Sequence, residues 1–240
     1  MTTTLAQLSD PHIRVGPNDQ RSAAALEAAV RSVLALDPQP VAVIVTGDLA
    51  DGSTPAEYAR FRELIAPLRM PVHVIPGNHD QALDWEGPRA VTSGDLRIVL
   101  CDTMRPGRDD GHLDLDWLAG ELAPAAPTIV AMHHPPVPIG IGGLDAIGLA
   151  AAQRTALAEL LHRSPHVVRV VAGHVHRTAF ATLGGTPVVT CASTNLQARL
   201  EIGSDGFTIV PEPPAFLVHT LAVAHVQPVT ATRRSCVRSR

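Results

Sequence analysis

The sequence predicts an α/β fold, a layered sandwich in which two β-sheets pack face to face. Three observations lead to this prediction. Short apolar runs typical of buried strands recur along the chain, helical stretches separate several of them, and after residue 165 the chain continues as strands and turns. Alternation of strands and helices favours parallel pairing with right-handed crossovers in the first part. The part after residue 165 is expected to be antiparallel.

Seven apolar runs are the predicted strands. In chain order they are TLAQLSD, PVAVIVTGD, PVHVIPGN, LRIVLCD, PTIVAMHH, VVRVVAGH and TPVVTCAS. Their length and β-branched content are typical of strands buried on both faces. No internal repeat and no linker divides the series, so we expect one domain over residues 1–228. The polar and basic residues 229–240 are expected to form a flexible tail.

Four helices are predicted between these strands. The first has an apolar face formed by Leu26, Val30, Val33 and Leu34. The second begins at a capping box, in which Thr54 caps the helix, Pro55 occupies the first turn and Glu57 completes the box. The third is predicted over 114–122, and the fourth over 151–163 with a leucine stripe.

Composition and charge exclude several function classes. The 240 residues carry a formal net charge of −4, which gives no reason to expect a nucleic-acid backbone as partner. All 19 basic residues are arginine, so a Schiff-base or P-loop lysine is excluded. The three cysteines are widely spaced and predict core residues rather than disulfides or a zinc site. With no signal peptide and no run that could span a bilayer, a soluble cytoplasmic protein is expected.

Candidate ligand side chains cluster where the predicted strands end. In chain order they are Asp10 and His12, then Asp48, then Asn78 with His79 and Asp80, then His133 with His134, and finally His174 with His176. Residues i and i+2 of an extended chain point to the same side, so His174 and His176 are expected to face one spot. Because ligands bind at the carboxyl ends of strands in open α/β sheets, we expect five strands of one sheet to surround a common site.

The chemistry of this set favours a pair of metal ions. Imidazole, carboxylate and amide ligands without a thiolate suit borderline to hard divalent ions, here Mn, Fe or Zn. Seven ligands are too many for one ion and suit two ions that share a bridging carboxylate. Two such ions would clamp an in-line displacement at phosphorus, with a bridging hydroxide as nucleophile, because metal binding lowers the pKa of water to about 7.

The motifs in this order resemble those of the calcineurin-like metallophosphoesterases. They are DPH (10–12), GD (47–48), GNHD (77–80), a histidine before prolines (133) and GHVH (173–176). The resemblance covers about residues 5–195. It implies a four-layer α/β/β/α sandwich, in which helices flank two mixed sheets packed face to face, and a dinuclear centre that holds two divalent ions per chain.

The resemblance also implies a role for each motif residue. One ion would be held by Asp10, His12 and His176, the other by Asn78, His133 and His174, with Asp48 as the bridge. His79 would contact the phosphate together with Asn78 and protonate the leaving oxygen, while Asp80 would orient the His79 imidazole. His134 and Asn195 are further candidates for substrate contacts, with a structural role open for both.

Within the family, GNHD followed by HHPP is most similar to bacterial class III cyclic-nucleotide phosphodiesterases and their glycerophosphodiesterase relatives. The expected activity is metal-dependent hydrolysis of small phosphodiesters. One departure lies in GLDAIGLAA (143–151), where relatives carry an asparagine and this chain has small apolar residues. If that asparagine binds substrate, the preferred substrate differs.

Two other functions stay open at this point. A phosphomonoesterase or nucleotidase would use the same site, and a non-catalytic scaffold would keep the fold but lose ligands that this chain retains. The expected partner is a small phosphodiester substrate, without a membrane, and with nucleic acid disfavoured. A homodimer contact, for example through PEPPAFLVHTL near the C-terminus, is left open.

Overall fold

Two mixed β-sheets form the centre of the structure, a computed structural model that describes residues 3–16 and 20–229. The described strands are β1 (Thr4–Leu8), β2 (Ala42–Thr46), β3 (Val72–Ile75), β4 (Arg89–Ser93), β5 (Leu96–Leu100), β6 (Thr128–Ala131), β7 (Val167–Ala172), β8 (Ala179–Leu183), β9 (Thr186–Thr190), β10 (Gln197–Ala198), β11 (Ile209–Val210), β12 (Ala215–Thr220) and β13 (Ala224–Pro228). The described helices are α1 (Gln20–Leu34), α2 (Pro55–Ile65), α3 (Leu115–Glu121), α4 (Gly142–Asp145) and α5 (Ala151–His162).

The assignment of strands to the two sheets differs from the one predicted from the sequence. The first sheet has the order β13-β12-β1-β2-β3 and the second β4-β5-β6-β7-β9-β8, while β10 and β11 form a separate hairpin. Strands β1, β2 and β3 are parallel, as are β5, β6, β7 and β9, while β12 and β13 of the first sheet and β4 and β8 of the second pair antiparallel with their neighbours. The expectation that the part after residue 165 is antiparallel is therefore wrong for β7 and β9. The chain's last strands join the first sheet instead of forming a second half.

Alternating side chains divide the core into three apolar layers. In β1, Leu5 faces the other sheet while Ala6 and Leu8 pack under α1 and α2. In β6, Ile129 lies between the sheets while Val130 packs under α3 and α5. A central layer between the sheets and one layer beneath each helical pair give the predicted four-layer sandwich, because both faces of each central strand are buried.

The four predicted helices are present, and their ends follow the local sequence. Helix α2 begins at the predicted capping box, in which the Thr54 hydroxyl accepts from the Glu57 backbone N–H and the Glu57 carboxylate accepts from the Thr54 N–H. Helix α3 is capped by Asp114, whose carboxylate accepts from Trp117 N–H at 2.9 Å. The short helix α4 was not predicted, because four residues of a Gly-rich segment carry no helical periodicity.

A buried polar contact crosses the space between the two sheets. The Gln7 amide of β1 donates to the carbonyl of Ala172 in β7 at 3.0 Å, and its oxygen lies 2.9 Å from Nε2 of His219 in β12. Nδ1 of the same imidazole lies 3.3 Å from the Arg169 guanidinium of β7. Because these polar groups pair with one another, the sheets are held in a defined relative position at the end where β1 and β7 lead into the site.

The last described residues pack with the rest of the domain. Val229 is buried, and its backbone N–H donates to the carbonyl of Pro214, so this residue packs with the domain. Residues 230–240 of the predicted tail lie outside the described residues. The boundaries of the domain and tail stay predictions. None of the described helices is long and apolar enough to cross a bilayer.

Candidate metal centre

All seven predicted metal ligands meet at one edge of the sandwich. Asp10, His12, Asp48 and Asn78 follow β1, β2 and β3 of the first sheet, whereas His133, His174 and His176 follow β6 and β7 of the second. The expectation that five strands of one sheet supply the site is therefore wrong. The ligands come from both sheets, because the carboxyl ends of the parallel strands point to the same edge of the sandwich.

Five of these residues turn sharply away from their strands. Asp10, His12, Asp48, His174 and His176 have positive φ angles between 44° and 68°. This left-handed region is sparsely used by residues other than glycine, although Asp and His are among those that adopt it more readily. Such backbone conformations gather at functional sites because the surrounding structure has to hold them there. Each turn directs a side chain across the strand ends into the common site.

The first group of ligands surrounds His12. Its Nε2 lies 3.0 Å from Nε2 of His176 and 3.3 Å from Oδ2 of Asp48. Nε2 of His176 in turn lies 3.6 Å from Oδ1 of Asp10. One ligand atom from each of these four side chains lies within 4.8 Å of the others, which is the arrangement required to hold an ion.

The second group surrounds Asn78. Its Oδ1 lies 3.0 Å from both Nε2 of His133 and Nδ1 of His174, and these two nitrogens are 3.2 Å apart. Oδ1 of Asp48 lies 3.6 Å from Nε2 of His133. Because the other oxygen of Asp48 faces His12, this carboxylate stands between the two groups, as the bridging role requires.

The hydrogen bonds behind the ligands leave lone pairs in the site. Nδ1 of His133 donates to the carbonyl of Thr46 at 2.8 Å, and Nδ1 of His176 donates to that of Leu196 at 2.8 Å. In each neutral imidazole the proton is then on Nδ1, so Nε2 presents a lone pair to the site. His133 Nε2 and the Asn78 carbonyl oxygen are both acceptors 3.0 Å apart. Two facing acceptors fit a cation between them, so the residues suit the metal pair.

The charges of the site also favour a cation. Burial alone would lower the pKa of His12, but the carboxylates of Asp48, Asp51 and Asp10 outweigh it and raise this pKa to about 9. Burial would raise the pKa of Asp48, yet the His133 and His12 imidazoles hold it below its usual range. Asp48 is therefore a carboxylate at any pH near neutrality, and positive charge is stabilised around it.

His79 and Asp80 lie beside the ligands, but their predicted connection is wrong. The Asp80 carboxylate accepts from the backbone N–H groups of Leu49, Ala50 and Gly77 at 2.9–3.2 Å. Nδ1 of His79 instead lies 2.8 Å from the carbonyl of Asp51. Asp80 thus fixes the backbone next to Asp48 rather than the imidazole. Burial and the Asp48 charge raise its pKa to about 6.

Asp51 is a site residue that the sequence analysis missed. Its Oδ1 lies 3.2 Å from Nδ1 of His12, and its Oδ2 is 2.7 Å from the Arg14 guanidinium. These partners lower its pKa to about 2 despite the opposing effect of burial, with the hydrogen bond to His12 as the largest contribution. The only available signal was its spacing three residues after Asp48, which is equally typical of an ordinary turn.

His134 is buried behind the candidate ligands, and both of its ring nitrogens are hydrogen-bonded elsewhere. Its side chain lies with His133 and His174 in a group whose spacing would suit a metal ion. However, its Nδ1 is 2.8 Å from the Thr103 hydroxyl and its Nε2 is 3.0 Å from the Asp109 carbonyl. Burial and the neighbouring His133 lower its pKa to about 3, so it stays neutral. With both nitrogens occupied, His134 packs against the imidazoles of His133 and His174, and Asn78 stays the candidate ligand beside them.

Two glycines allow this dense arrangement. A Cβ on Gly47, whose φ is +90°, would lie 2.3 Å from Nδ1 of His133. A Cβ on Gly77 would lie 2.1 Å from Oδ1 of Asp48. Since real side chains do not approach so closely, the GD and GNHD motifs need glycine before their ligands.

An open pocket of about 490 Å³ adjoins the site. Its floor contains the ligands His12, Asp48, Asn78, His174 and His176, and its walls include His79, Asn195, Arg14, Arg21, Leu144, Ile147, Phe207 and Ile209. The volume lies within the range of small-molecule sites. A small anionic substrate can therefore reach the ligand side chains directly from solvent.

The family model and the similar proteins are all phosphoesterases. The family model for calcineurin-like phosphoesterases matches residues 3–178. A probable glycerophosphodiester phosphodiesterase GpdQ of Arcobacter nitrofigilis is 33% identical over 90% of this chain and 87% of its own length. A 3',5'-cyclic adenosine monophosphate phosphodiesterase CpdA of Pseudomonas aeruginosa is 32% identical over 88% of this chain and 83% of its own.

A third relative and a solved structure extend this comparison. A cAMP/cGMP dual specificity phosphodiesterase of Mycobacterium tuberculosis is 32% identical over 90% of this chain and 78% of its own length. The crystal structure of a dimetal phosphatase from Danio rerio matches the fold with a TM-score of 0.66 at 15% identity, over 95% of this chain and 99% of that one. The matched segment contains every ligand described above, and the chain belongs to the calcineurin-like phosphoesterase family.

Proposed function

We propose that this protein is a dinuclear metal-dependent phosphodiesterase that hydrolyses small phosphodiesters, either cyclic nucleotides or glycerophosphodiesters. The single observation that carries the proposal is the position of Asp48. Its two oxygens face two separate ligand groups, 3.3 Å from His12 Nε2 and 3.6 Å from His133 Nε2. A carboxylate in this position is the ligand that two adjacent ions share.

Each ligand group would hold one ion. Asp10, His12 and His176 would bind the first and Asn78, His133 and His174 the second, with Asp48 common to both. Mn, Fe and Zn all suit these nitrogen and oxygen ligands. When bound, such a pair supplies Lewis-acid activation of water and of a phosphoryl oxygen.

The chain's own residues then position and protonate the substrate. Asn78 and His79 line the pocket next to the ligand groups. Because Nδ1 of His79 is held by the Asp51 carbonyl at 2.8 Å, its Nε2 is the nitrogen available to the phosphate. His79 would donate a proton from this atom to the leaving oxygen, a transfer that requires the imidazolium form. Arg14 and Arg21 add positive charge at the pocket wall, which favours an anionic substrate.

Asp51 supports the same reaction through its two partners. Its carboxylate lies 3.2 Å from Nδ1 of His12, an ion-pair contact that would keep the opposite nitrogen, Nε2, directed to the site, and its carbonyl orients His79. Groups that orient metal ligands in this way raise both metal affinity and activity. We therefore assign Asp51 a positioning role in place of the one expected for Asp80.

The substrate classes follow from the relatives. GpdQ and CpdA are named as phosphodiesterases for glycerophosphodiesters and 3',5'-cyclic adenosine monophosphate. The two relatives are about equally similar to this chain, at 33% and 32% identity, so the two substrate classes are proposed together. Phosphomonoester hydrolysis is the alternative that the experiment has to separate.

The test compares wild type with Asp48→Ala on bis(p-nitrophenyl) phosphate and p-nitrophenyl phosphate. Diester hydrolysis should require added Mn²⁺ after dialysis against a chelator and fall at least about a hundredfold in the variant. The exposed Asp116→Ala, on α3, is the matched control and should behave as wild type. Full activity of the chelated protein would overturn the metal-dependent mechanism. Faster monoester than diester hydrolysis would assign a phosphomonoesterase.

A further inference from the structure

We propose that the apolar wall of the pocket binds a nucleobase, which makes cyclic nucleotides the preferred substrates over glycerophosphodiesters. The inference rests on the proposed function, since it concerns the part of the substrate beyond the phosphate. The wall is formed by Leu144, Ile147, Phe207 and Ile209. It faces the same pocket as the metal ligands, so one bound molecule can contact both.

Two segments that are distant in sequence build this wall. Leu144 and Ile147 belong to α4 and the turn that follows it, while Phe207 and Ile209 belong to the hairpin of β10 and β11. Phe207 and Ile209 are 46% and 40% exposed, although both lie in the pocket. Large apolar groups exposed in a concave site next to polar groups are typical of a ligand surface.

Backbone hydrogen bonds hold the hairpin in place. Gly142 N–H donates to the Ser204 carbonyl, and Gly203 N–H donates to the Gly140 carbonyl, each at 2.8 Å. A Cβ on Gly143 would lie 2.7 Å from the Gly206 backbone and 3.0 Å from Cδ1 of Phe207, so glycine there allows the hairpin and its ring to pack close to α4. The wall is therefore formed before substrate binds, which reduces the ordering cost of binding.

The hairpin is also joined to the metal centre. Ala198 N–H of β10 donates to the carbonyl of His176 at 3.4 Å, and the carbonyl of the adjacent Leu196 accepts from Nδ1 of the same histidine at 2.8 Å. The position of the wall relative to the ligands is thus fixed. A phosphate at the candidate ligands and a planar group at the wall would then lie in one pocket of about 490 Å³.

The chemistry of the wall distinguishes the two substrate classes. A nucleobase is planar and can stack on the Phe207 ring while its edge packs on Ile147 or Ile209. A glycerol or ethanolamine group would place hydroxyls or an ammonium against aliphatic side chains that offer no hydrogen bond. The wall therefore favours the nucleotide.

Asn195 supplies a polar contact in the same pocket. The residue is 9% exposed and lines the pocket, and its Oδ1 has no hydrogen-bond partner among the described residues. A buried amide without a partner is costly, and a ligand hydroxyl or amine would satisfy it. The ribose hydroxyl and the base amine are such groups, but so are glycerol hydroxyls, so Asn195 adds a polar contact and the apolar wall distinguishes the two substrate classes.

The experiment measures kinetics with two substrates, 3',5'-cyclic AMP and glycerophosphoethanolamine, each with the Mn²⁺-loaded full chain. Phe207→Ala should raise KM for cyclic AMP about tenfold and leave kcat/KM for glycerophosphoethanolamine within about twofold, because only the base stacks on the ring. The matched control is Phe180→Ala on β8, which removes a ring that is 63% exposed and does not line the pocket. It should change neither substrate's KM.

The outcomes separate the inference from the proposed function. Wild-type preference for cyclic AMP that Phe207→Ala removes supports the nucleobase wall. Equal effects of Phe207→Ala on both substrates, or faster wild-type hydrolysis of glycerophosphoethanolamine, overturn the wall while leaving phosphodiesterase activity intact. Hydrolysis of neither diester by the Mn²⁺-loaded wild type contradicts the proposed function itself.

Discussion

Nε2 of His133 lies 3.0 Å from Oδ1 of Asn78, and in the neutral side chains neither atom carries a hydrogen. An acceptor facing an acceptor is unfavourable unless a cation lies between them. Since the two atoms come from different sheets, an ion bound there connects elements that are otherwise joined mainly by packing.

The first prediction concerns metal binding and stability. Mn²⁺ at about 100 times its Kd should raise the Tm of chelated protein by about 5–10 °C, because only the folded chain brings the ligands together. Asn78→Ala should abolish most of this shift in differential scanning fluorimetry. The control variant Asp116→Asn should retain the shift. If none of Mn²⁺, Zn²⁺ and Fe²⁺ changes the Tm of the wild type, the assignment of the ligands is contradicted.

A second prediction concerns the contact between Asp51 and His12. Asp51→Ala should weaken metal binding about 10–100-fold, since the His12 imidazole loses the carboxylate that lies 3.2 Å from its Nδ1. Calorimetric titration with Mn²⁺ measures this change. Asp116→Ala is the control, because this exposed residue of α3 does not line the pocket and should leave metal affinity unchanged.

A third prediction separates Asp80 from His79. Asp80→Ala should lower the free energy of unfolding by about 2–4 kcal/mol, because three buried N–H groups lose their acceptor. His79→Ala should instead lower kcat by about 10²–10⁴ without a comparable loss of stability, if His79 is the proton donor. Urea denaturation and steady-state kinetics check the pair. Equal stability losses in the two variants would refute the division of roles.

A fourth prediction uses two glycines with nearly the same backbone conformation. Gly47 and Gly87 have φ angles of +90° and +88°, but an added Cβ meets His133 only at Gly47. Gly87→Ala should cost about 1–2 kcal/mol for the backbone alone. Gly47→Ala should cost at least about 2 kcal/mol more and reduce metal content measured by elemental analysis, because the His133 ring must move.

A fifth prediction concerns acid stability. Burial, followed by the Arg169 charge, lowers the pKa of His219 from 6.5 to about 3 in the folded chain. Between these values the unfolded chain binds a proton that the folded chain does not, so stability falls with falling pH by up to about 1.4 kcal/mol per unit. Above pH 6.5 this residue contributes no pH dependence.

The variant His219→Gln checks this sign. It removes the titrating group and keeps a donor for Gln7 and an acceptor for Arg169, so its stability should depend less on pH between 6.5 and 3. Urea unfolding at several pH values measures the slope. An identical slope in wild type and variant would show that His219 is protonated in the folded chain.

The convergence of the candidate ligands could be predicted because their order along the chain carries the information. Each of the ligands from Asp10 to His176 follows a strand that local apolar runs identify, and α2 begins at its local capping box. These features depend on neighbouring residues alone, so they can be read without a structure.

The features that the sequence did not predict depend on contacts between distant residues. The pairing of β12 with β1 joins Thr220 to Thr4, and no local pattern assigns these strands to one sheet. The Asp80 carboxylate had two available partners, an imidazole and a set of backbone N–H groups, and tertiary geometry selected the second. The Asp51 contacts and the apolar wall of the pocket also depend on tertiary contacts that no local pattern predicts.

Because the candidate ligands come from both sheets, a bound ion would oppose separation of the two sheets. Separation of β1 from β7 would pull Asp10 and His12 away from His174 and His176, so this motion cannot occur while a shared ion stays bound. Hydrogen exchange of the central strands should therefore slow when metal is added, whereas exchange in the edge strand β13 should stay unchanged. A bound ion would cross-link the two β-layers, and its departure would come before their separation.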